Sequence, residues 1–215
     1  MDFKFLIDIF LHLDKYLGFV IDKFGVFTYI ILFLIIFAET GFVVTPFLPG
    51  DSILFAVGAL SAVGQLNILT LYVVILAAAI LGDTVNYWIG YRIGPKIFEN
   101  DNKYIKKEYL NKTKSFYEKH GGKTIILARF IPIIRTFAPF VAGVGIMNYR
   151  KFIIYNIFGG TLWVTLFIFL GYFFGNIKFV KDNFELAIVA IIFISVVPVF
   201  FEIIKTKLEK TKTSS

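Results

Sequence analysis

From Phe24 to Tyr91 the chain runs for 68 residues with only three charges, Glu39, Asp51 and Asp83. A second stretch, Phe152 to Ile177, covers 26 residues and carries none. A helix that spans a bilayer needs roughly 20 mostly apolar residues, so these runs hold several crossings. They are continuously apolar rather than alternating with period two, which predicts helices and not barrel strands. Composition agrees: 58% of residues are hydrophobic and 17% are charged, against about 45–50% and 25% in soluble domains. That apolar content excludes disorder. The length of 215 residues fits one domain. With no cysteine, disulfides, thiolate metal sites, Fe–S clusters and cysteine nucleophiles are excluded.

The charges that do occur are placed. Arg92 to Lys123 carries nine Lys/Arg against four Asp/Glu, and the tail adds Lys205, Lys207, Lys210 and Lys212. The net charge of +7 therefore flanks apolar segments, which is the positive-inside pattern and not a nucleic-acid surface. Both the central loop and the tail are expected in the cytoplasm. The N-terminus is expected not to be a signal peptide, because Asp2, Lys4, Asp8, Asp14 and Lys15 interrupt it. Asp8 and His12, four residues apart, share a face, with Phe3, Leu6, Phe10, Leu13 and Leu17 largely on the other. An amphipathic helix at the membrane interface is expected there.

About four crossings are expected, near Phe24–Ala38, Ile68–Tyr91, 152–174 and 184–204. Two further segments are apolar but broken. Residues 45–63 contain Pro46, Pro49-Gly50 and Asp51, and residues 124–147 contain Arg129, Pro132, Arg135 and Pro139. If both are re-entrant, the N-terminus, the basic loop, Arg150-Lys151 and the tail all lie on the cytoplasmic side. Irregular backbone at membrane depth is tolerated only when buried in protein or lining a wet cavity, so the broken segments are expected to face each other. The expected architecture is a single all-α membrane domain. Its parts are a first inverted repeat over 24–94, a basic loop over 95–123, a second repeat over 124–175, a last helix over 184–204 and a tail over 205–215.

The repeat rests on matched order. Pro49 follows Ala38-Glu39 ten residues after the Glu, and Pro139 follows Ala128-Arg129 ten residues after the Arg. Gly90-Tyr91-Arg92-Ile93-Gly94 is then answered by Gly171-Tyr172-Phe173-Phe174-Gly175. Both contain GxxxG, a spacing that lets membrane helices approach closely, within a chain or across a homodimer. Paired broken segments in inverted repeats point to a binding site near the midplane.

A charge at the centre of a membrane helix costs about 2.5–3.5 kcal/mol on insertion scales, so five of them need a reason. Glu39, Asp51 and Asp83 are acidic and Arg129 and Arg135 are basic. One reading is an ion-pair lock that fixes the halves together. The functional reading makes Glu39 and Asp51 proton or cation carriers and Arg129 and Arg135 forked donors suited to a phosphate. Asp83, with Asn86 and Tyr87 one turn on, is either a helix–helix hydrogen bond or part of an ion relay. Pro49, Gly50, Pro132 and Pro139 are expected to bend the chain. Trp88 and Trp163 are expected to be packing or interface residues. An enzyme is not expected: the only histidines are His12 and His120, and no Gly-x-Ser-x-Gly or His-Glu-x-x-His is present. No cofactor is implied.

The run Glu39-Thr40-Gly41-Phe42-Val43-Val44-Thr45-Pro46-Phe47-Leu48-Pro49-Gly50-Asp51 resembles the first signature of the DedA family of SNARE-associated, or VTT-domain, membrane proteins. Gly82-Asp83, Tyr87-Trp88, Gly90 and Gly94 resemble the second. Ala128-Arg129-Phe130-Ile131-Pro132, Arg135-Thr136, Ala138-Pro139 and Ala142-Gly143 resemble the third, and Met147-Asn148-Tyr149, Phe152, Asn156, Gly159 and Trp163 continue it. The three in order span roughly residues 37–175. Arg92 departs from the pattern, standing two places after Gly90 where many members put a basic residue directly after the glycine. The resemblance implies two re-entrant hairpins in a cytoplasmic-membrane protein. It also implies a role such as recycling undecaprenyl phosphate across that membrane, membrane-potential homeostasis with resistance to cationic antimicrobials, or phospholipid scrambling. The acids alone would also suit a proton-coupled cation or drug antiporter. The family's functional acids and arginines fall on Glu39, Asp51, Arg129 and Arg135, and Asp83 matches its second-signature aspartate.

Overall fold

A computed structural model describes residues 12–42, 50–99, 121–145, 147–184, 186, 189 and 190. Among these the chain is helical, with no strand. Pro49, His120, most of the basic loop and most of the last expected crossing lie outside the described residues.

Helix α1, Leu13–Phe24, buries Leu13 and Leu17 and turns Lys15, Tyr16, Phe19 and Lys23 outward. Of the expected amphipathic helix only this part is described; residues 1–11, with Phe3, Leu6, Asp8 and Phe10, lie outside the described residues. Helix α1 ends at Gly25, whose φ of 52° suits a residue without a Cβ. After the short turn Gly25–Phe27, the Thr28 hydroxyl reaches back to the Val20 carbonyl at 3.4 Å, so the chain bends there. Helix α2, Thr28–Gly41, follows. Its 14 residues reach about 21 Å at 1.5 Å per residue, short of a roughly 30 Å hydrocarbon core. Taken with α1, Lys15–Gly41 is long and apolar enough to cross.

Helix α3, Gly50–Ala62, and helix α6, Pro132–Val144, have 13 residues each and are too short to cross alone. The long helices are α4, Ile68–Glu99, and α7, Tyr149–Phe174, each with a span of crossing length. Between α4 and α6 lies α5, Lys123–Ala128, and after α7 comes α8, Lys178–Asp182. Helix α4 starts with Asn67, whose side chain accepts from the Thr70 amide at 3.0 Å. It continues through Arg92 to Glu99, so the first part of the expected basic loop is helix. Helix α7 starts with Asn148, whose side chain accepts from the amides of Arg150 and Lys151.

Each short helix lies against a long helix from the other half, at glycines. A Cβ on Gly58 of α3 would strike the Ile168 carbonyl of α7, and one on Gly171 would strike the Phe55 carbonyl of α3. On the other side, a Cβ on Gly143 of α6 would strike the Tyr87 carbonyl of α4, and one on Gly90 would strike the Phe140 carbonyl of α6. Gly94 meets Val144, and Gly175 meets Ala59. Backbones in such contact are held by van der Waals packing, which drives helix association in lipid where burial of apolar area does not. Both GxxxG faces are thus occupied within the chain. In these two contacts Gly58 of α3 plays the part that Gly143 plays in α6, and Phe55 the part of Phe140, a different register from the one that matches Pro49 with Pro139.

Two apolar clusters form. One gathers Leu32, Ile36, Leu54, Leu71, Ile75 and Ile168, and the other Tyr87, Ile125, Ala138, Ala142 and Phe152. The buried polar residues come from α2, α3, α4, α6, α7 and the Arg129–Ile131 break.

Candidate functional site

All five intramembrane charges are buried and belong to two ion-pair centres. The first is built on Arg135, in the first turn and a half of α6. Its Nη2 donates to Glu39 Oε1 at 2.5 Å and its Nη1 to Asp51 Oδ1 at 2.6 Å. Glu39 stands near the C-terminal end of α2 and Asp51 in the first turn of α3. One guanidinium thus ties three segments together. The fork shape of arginine makes this possible, since two nitrogens serve two carboxylates at once. A Cβ on Gly50 would strike the Glu39 carboxylate, so glycine there lets the carboxylate reach the start of α3. That position is favourable for a negative charge.

The second centre is built on Arg129, in the break between α5 and α6. Its Nη2 donates to Asp83 Oδ2 at 2.5 Å, to Asn156 Oδ1, and at 3.5 Å to the Ala79 carbonyl. The partners come from α4 and α7. Gly159 and Gly160 of α7 leave room for it: a Cβ would come within 3.2 Å of Arg129 Cδ at the first and 3.4 Å of Nη2 at the second. Asn156 Nδ2 in turn donates to the Ile80 carbonyl at 3.1 Å. Between the centres, Asn86 Nδ2 donates to the carbonyls of Thr40 at 3.1 Å and Thr136 at 2.7 Å, joining α2 and α6 through α4.

The five charges lie in the same buried region, but each arginine has its own partners. Asp83 is an ion-pair partner, not a simple helix–helix hydrogen bond. Pro132 opens α6, where its missing N–H costs nothing. Pro139 is buried inside α6 without breaking it, a correction to the expected break. Its ring removes the amide that would bond the Arg135 carbonyl. Gly143 is a packing contact against α4. Arg92 is exposed, away from both centres.

Trp163 was expected to be a packing or interface residue; it packs in the first apolar cluster and also contacts the Arg135 centre. It is fully buried, its Nε1 donates to Asp51 Oδ1 at 2.8 Å, and the Arg135 guanidinium lies 4.8 Å from its ring centroid. Trp88 is exposed, edge-on to Tyr87 and Tyr91 and tilted against Tyr149. Asn156 also escaped assignment as a site residue. The available signal was an amide in an otherwise apolar helix, which must find a partner in lipid or protein.

Among the described residues, several polar atoms of the two centres are buried with no hydrogen-bond partner: Arg129 Nε and Nη1, Arg135 Nε and Asp83 Oδ1. Such atoms are costly to leave unpaired. With three carboxylates and two guanidiniums, the fully ionised pair of centres carries one net negative charge. Among the described residues no group of His, Cys, Asp and Glu is arranged to hold a metal ion.

The VTT domain family matches residues 48–173. Protein DedA of Escherichia coli K12 is 57% identical over 206 residues, covering 94% of both chains. The chain belongs to the DedA family. An uncharacterized membrane protein of Mycobacterium leprae is 44% identical, over 76% of this chain and 74% of the relative. Inner membrane protein YqjA of Escherichia coli K12 is 34% identical, over 69% of this chain and 68% of the relative. No solved structure matches. As a DedA-family chain with three spans of crossing length among the described residues, the molecule is a membrane protein. Its two buried arginine centres fall inside or just beside the matched region: only Glu39 lies outside it.

Proposed function

We propose that this protein carries a lipid phosphate across the cytoplasmic membrane, with undecaprenyl or another polyprenyl phosphate as its substrate. The observation that carries this reading is the Arg135 centre, where one guanidinium holds carboxylates from two different segments. A phosphate offers the same paired oxygens as those carboxylates and competes for the same fork. The charge balance gives the coupling: an anion arriving beside two carboxylates and one guanidinium adds negative charge to a centre already net negative. A proton or other cation taken up by Glu39 or Asp51 offsets it, and Asp83 extends the relay. The site does its work by binding and release, without chemistry on the substrate, so the protein is read as a transporter and not an enzyme.

The reciprocal glycine contacts support two inverted repeats whose short helices, α3 and α6, are the inner arms of re-entrant hairpins. The basic segment and tail support cytoplasmic termini, and the relative YqjA, an inner membrane protein, supports an inner-membrane location.

A second reading, a proton-coupled cation or drug antiporter, is favoured by the ion pairs that already neutralise both arginines. A phospholipid scramblase is the third. Reconstitution in liposomes with labelled polyprenyl phosphate on one leaflet separates them. The lipid-phosphate reading expects movement that a pH gradient accelerates and Arg135→Lys abolishes. Gradient-independent movement of ordinary phospholipid as well points to scrambling. No movement of either lipid, in folded protein, overturns the proposal in favour of the antiporter.

A further inference from the structure

We infer that Trp163 is a positioning residue for substrate exchange at Arg135: its indole N–H retains the Asp51 carboxylate when an anion takes the guanidinium. The inference rests on the lipid-phosphate reading above. Asp51 Oδ1 accepts two donors, Arg135 Nη1 at 2.6 Å and Trp163 Nε1 at 2.8 Å. They differ in kind. The guanidinium is charged and can follow an incoming phosphate. The indole is neutral, only donates, and is fixed in a core. Its ring packs edge-on to Phe167, and Gly171 and Gly175 lock the same helix against α3, which carries Asp51.

Taking a charged donor away from a buried carboxylate is costly. The indole N–H reduces that cost for Asp51 in the exchanged state. The ring also faces the guanidinium at cation–π distance, so Arg135 keeps a partner while its carboxylates change. Trp163 touches both groups that must separate, so it sets the ease of exchange without contacting the phosphate.

Substrate dependence of transport tests this. Trp163→Phe keeps the ring and removes the N–H. The expected result is a roughly tenfold higher half-saturating fraction of polyprenyl phosphate, with the maximal rate per folded protein within about twofold, a 1.4 kcal/mol weakening. Trp163→Leu, which also removes the ring, raises it further. A role in folding alone lowers the maximal rate and leaves half-saturation unchanged, and that result overturns the inference.

A second measurement leaves Trp163 intact. The chain has two tryptophans, and Trp88→Phe removes the exposed one. Trp163 emission in that protein should shift saturably with polyprenyl phosphate and not with the uncharged polyprenyl alcohol. Transport by the natural protein with no emission shift overturns the role of Trp163 and spares the transport reading. No transport by the natural protein overturns both.

Discussion

The two buried arginines stand six residues apart in sequence and occupy different surroundings. Arg129 spends one nitrogen, Nη2, on Asp83 and Asn156, which belong to the long helices α4 and α7. Arg135 spends two nitrogens on Glu39 and Asp51, which belong to α2 and the start of α3, and lies over an indole. The first centre is balanced, one carboxylate to one guanidinium. The second has a carboxylate in excess. A balanced pair between long helices is suited to holding them together. An unbalanced one at the ends of short segments is suited to exchanging a ligand and a cation. On the reading proposed above, the difference sets a centre suited mainly to fastening, with Asp83 still open to the relay, apart from one suited to exchange, although sequence alone presents both as an arginine in a proline-rich apolar stretch.

The sharpest way to break this comparison is to shorten both forks. Lysine offers a single compact nitrogen. At Arg129 that nitrogen can still meet Asp83, whereas at Arg135 it cannot bridge two carboxylates. Lipid-phosphate transport in liposomes should fall by about 100-fold in Arg135→Lys and about tenfold in Arg129→Lys, roughly 2.7 and 1.4 kcal/mol. Equal losses would erase the distinction between the centres.

The next test reads stability. Removing one partner of a buried pair costs about 3–5 kcal/mol, while removing both is often near neutral. Arg129→Met alone should lower the thermal midpoint in detergent strongly, and adding Asp83→Leu should restore most of it. At Arg135 no single carboxylate replacement should rescue Arg135→Met, because the other stays uncompensated. Rescue by Asp51→Leu alone would show that Glu39 is not held by that guanidinium.

The halves can be compared through their glycines as well. Gly58 and Gly143 sit at equivalent contacts, one against α7 and the other against α4. Overpacking a tight contact costs about 1–3 kcal/mol. Gly58→Ala and Gly143→Ala should therefore destabilise to similar extents, read as matching drops in thermal midpoint. A cost confined to one of them would undo the reciprocal packing on which the repeat rests.

Much of this was legible in the sequence. Continuous apolar runs gave the membrane class and the long helices, because a bilayer demands length and apolarity together. The five charges stood out because burying them is expensive. That acids would face arginines was legible, but which acid meets which arginine was not. Helical spacing orders residues along one element, but Arg129 meets Asp83 and Arg135 meets Glu39 and Asp51 across elements, through space. Gly58 was hidden in the small-residue run of α3, and without it the two halves align on prolines, a register that the glycine contacts do not share. Trp163 was legible as a packing residue, but only the fold reveals that its indole also faces an ion pair. Pro139 looked like a break, yet α6 continues through it, held on both sides by Gly143 against α4 and by the Arg135 ion pairs.

The smallest expected effect gives the others their meaning. Asn148 caps α7 through the amides of Arg150 and Lys151, at 3.0 and 3.4 Å in an exposed setting. Replacing such a cap by alanine costs about 1 kcal/mol. Asn148→Ala touches neither arginine, so it should lower the thermal midpoint slightly and leave transport per folded molecule unchanged. It thereby measures how much activity is lost merely because α7, which carries Asn156 and Trp163, is less firmly started. If transport per folded molecule fell as far in Asn148→Ala as in Arg129→Lys, the loss at Arg129 would reflect a loosened α7 and not a fork shortened. If it holds, losses at Arg135 beyond that background belong to the ion pairs themselves.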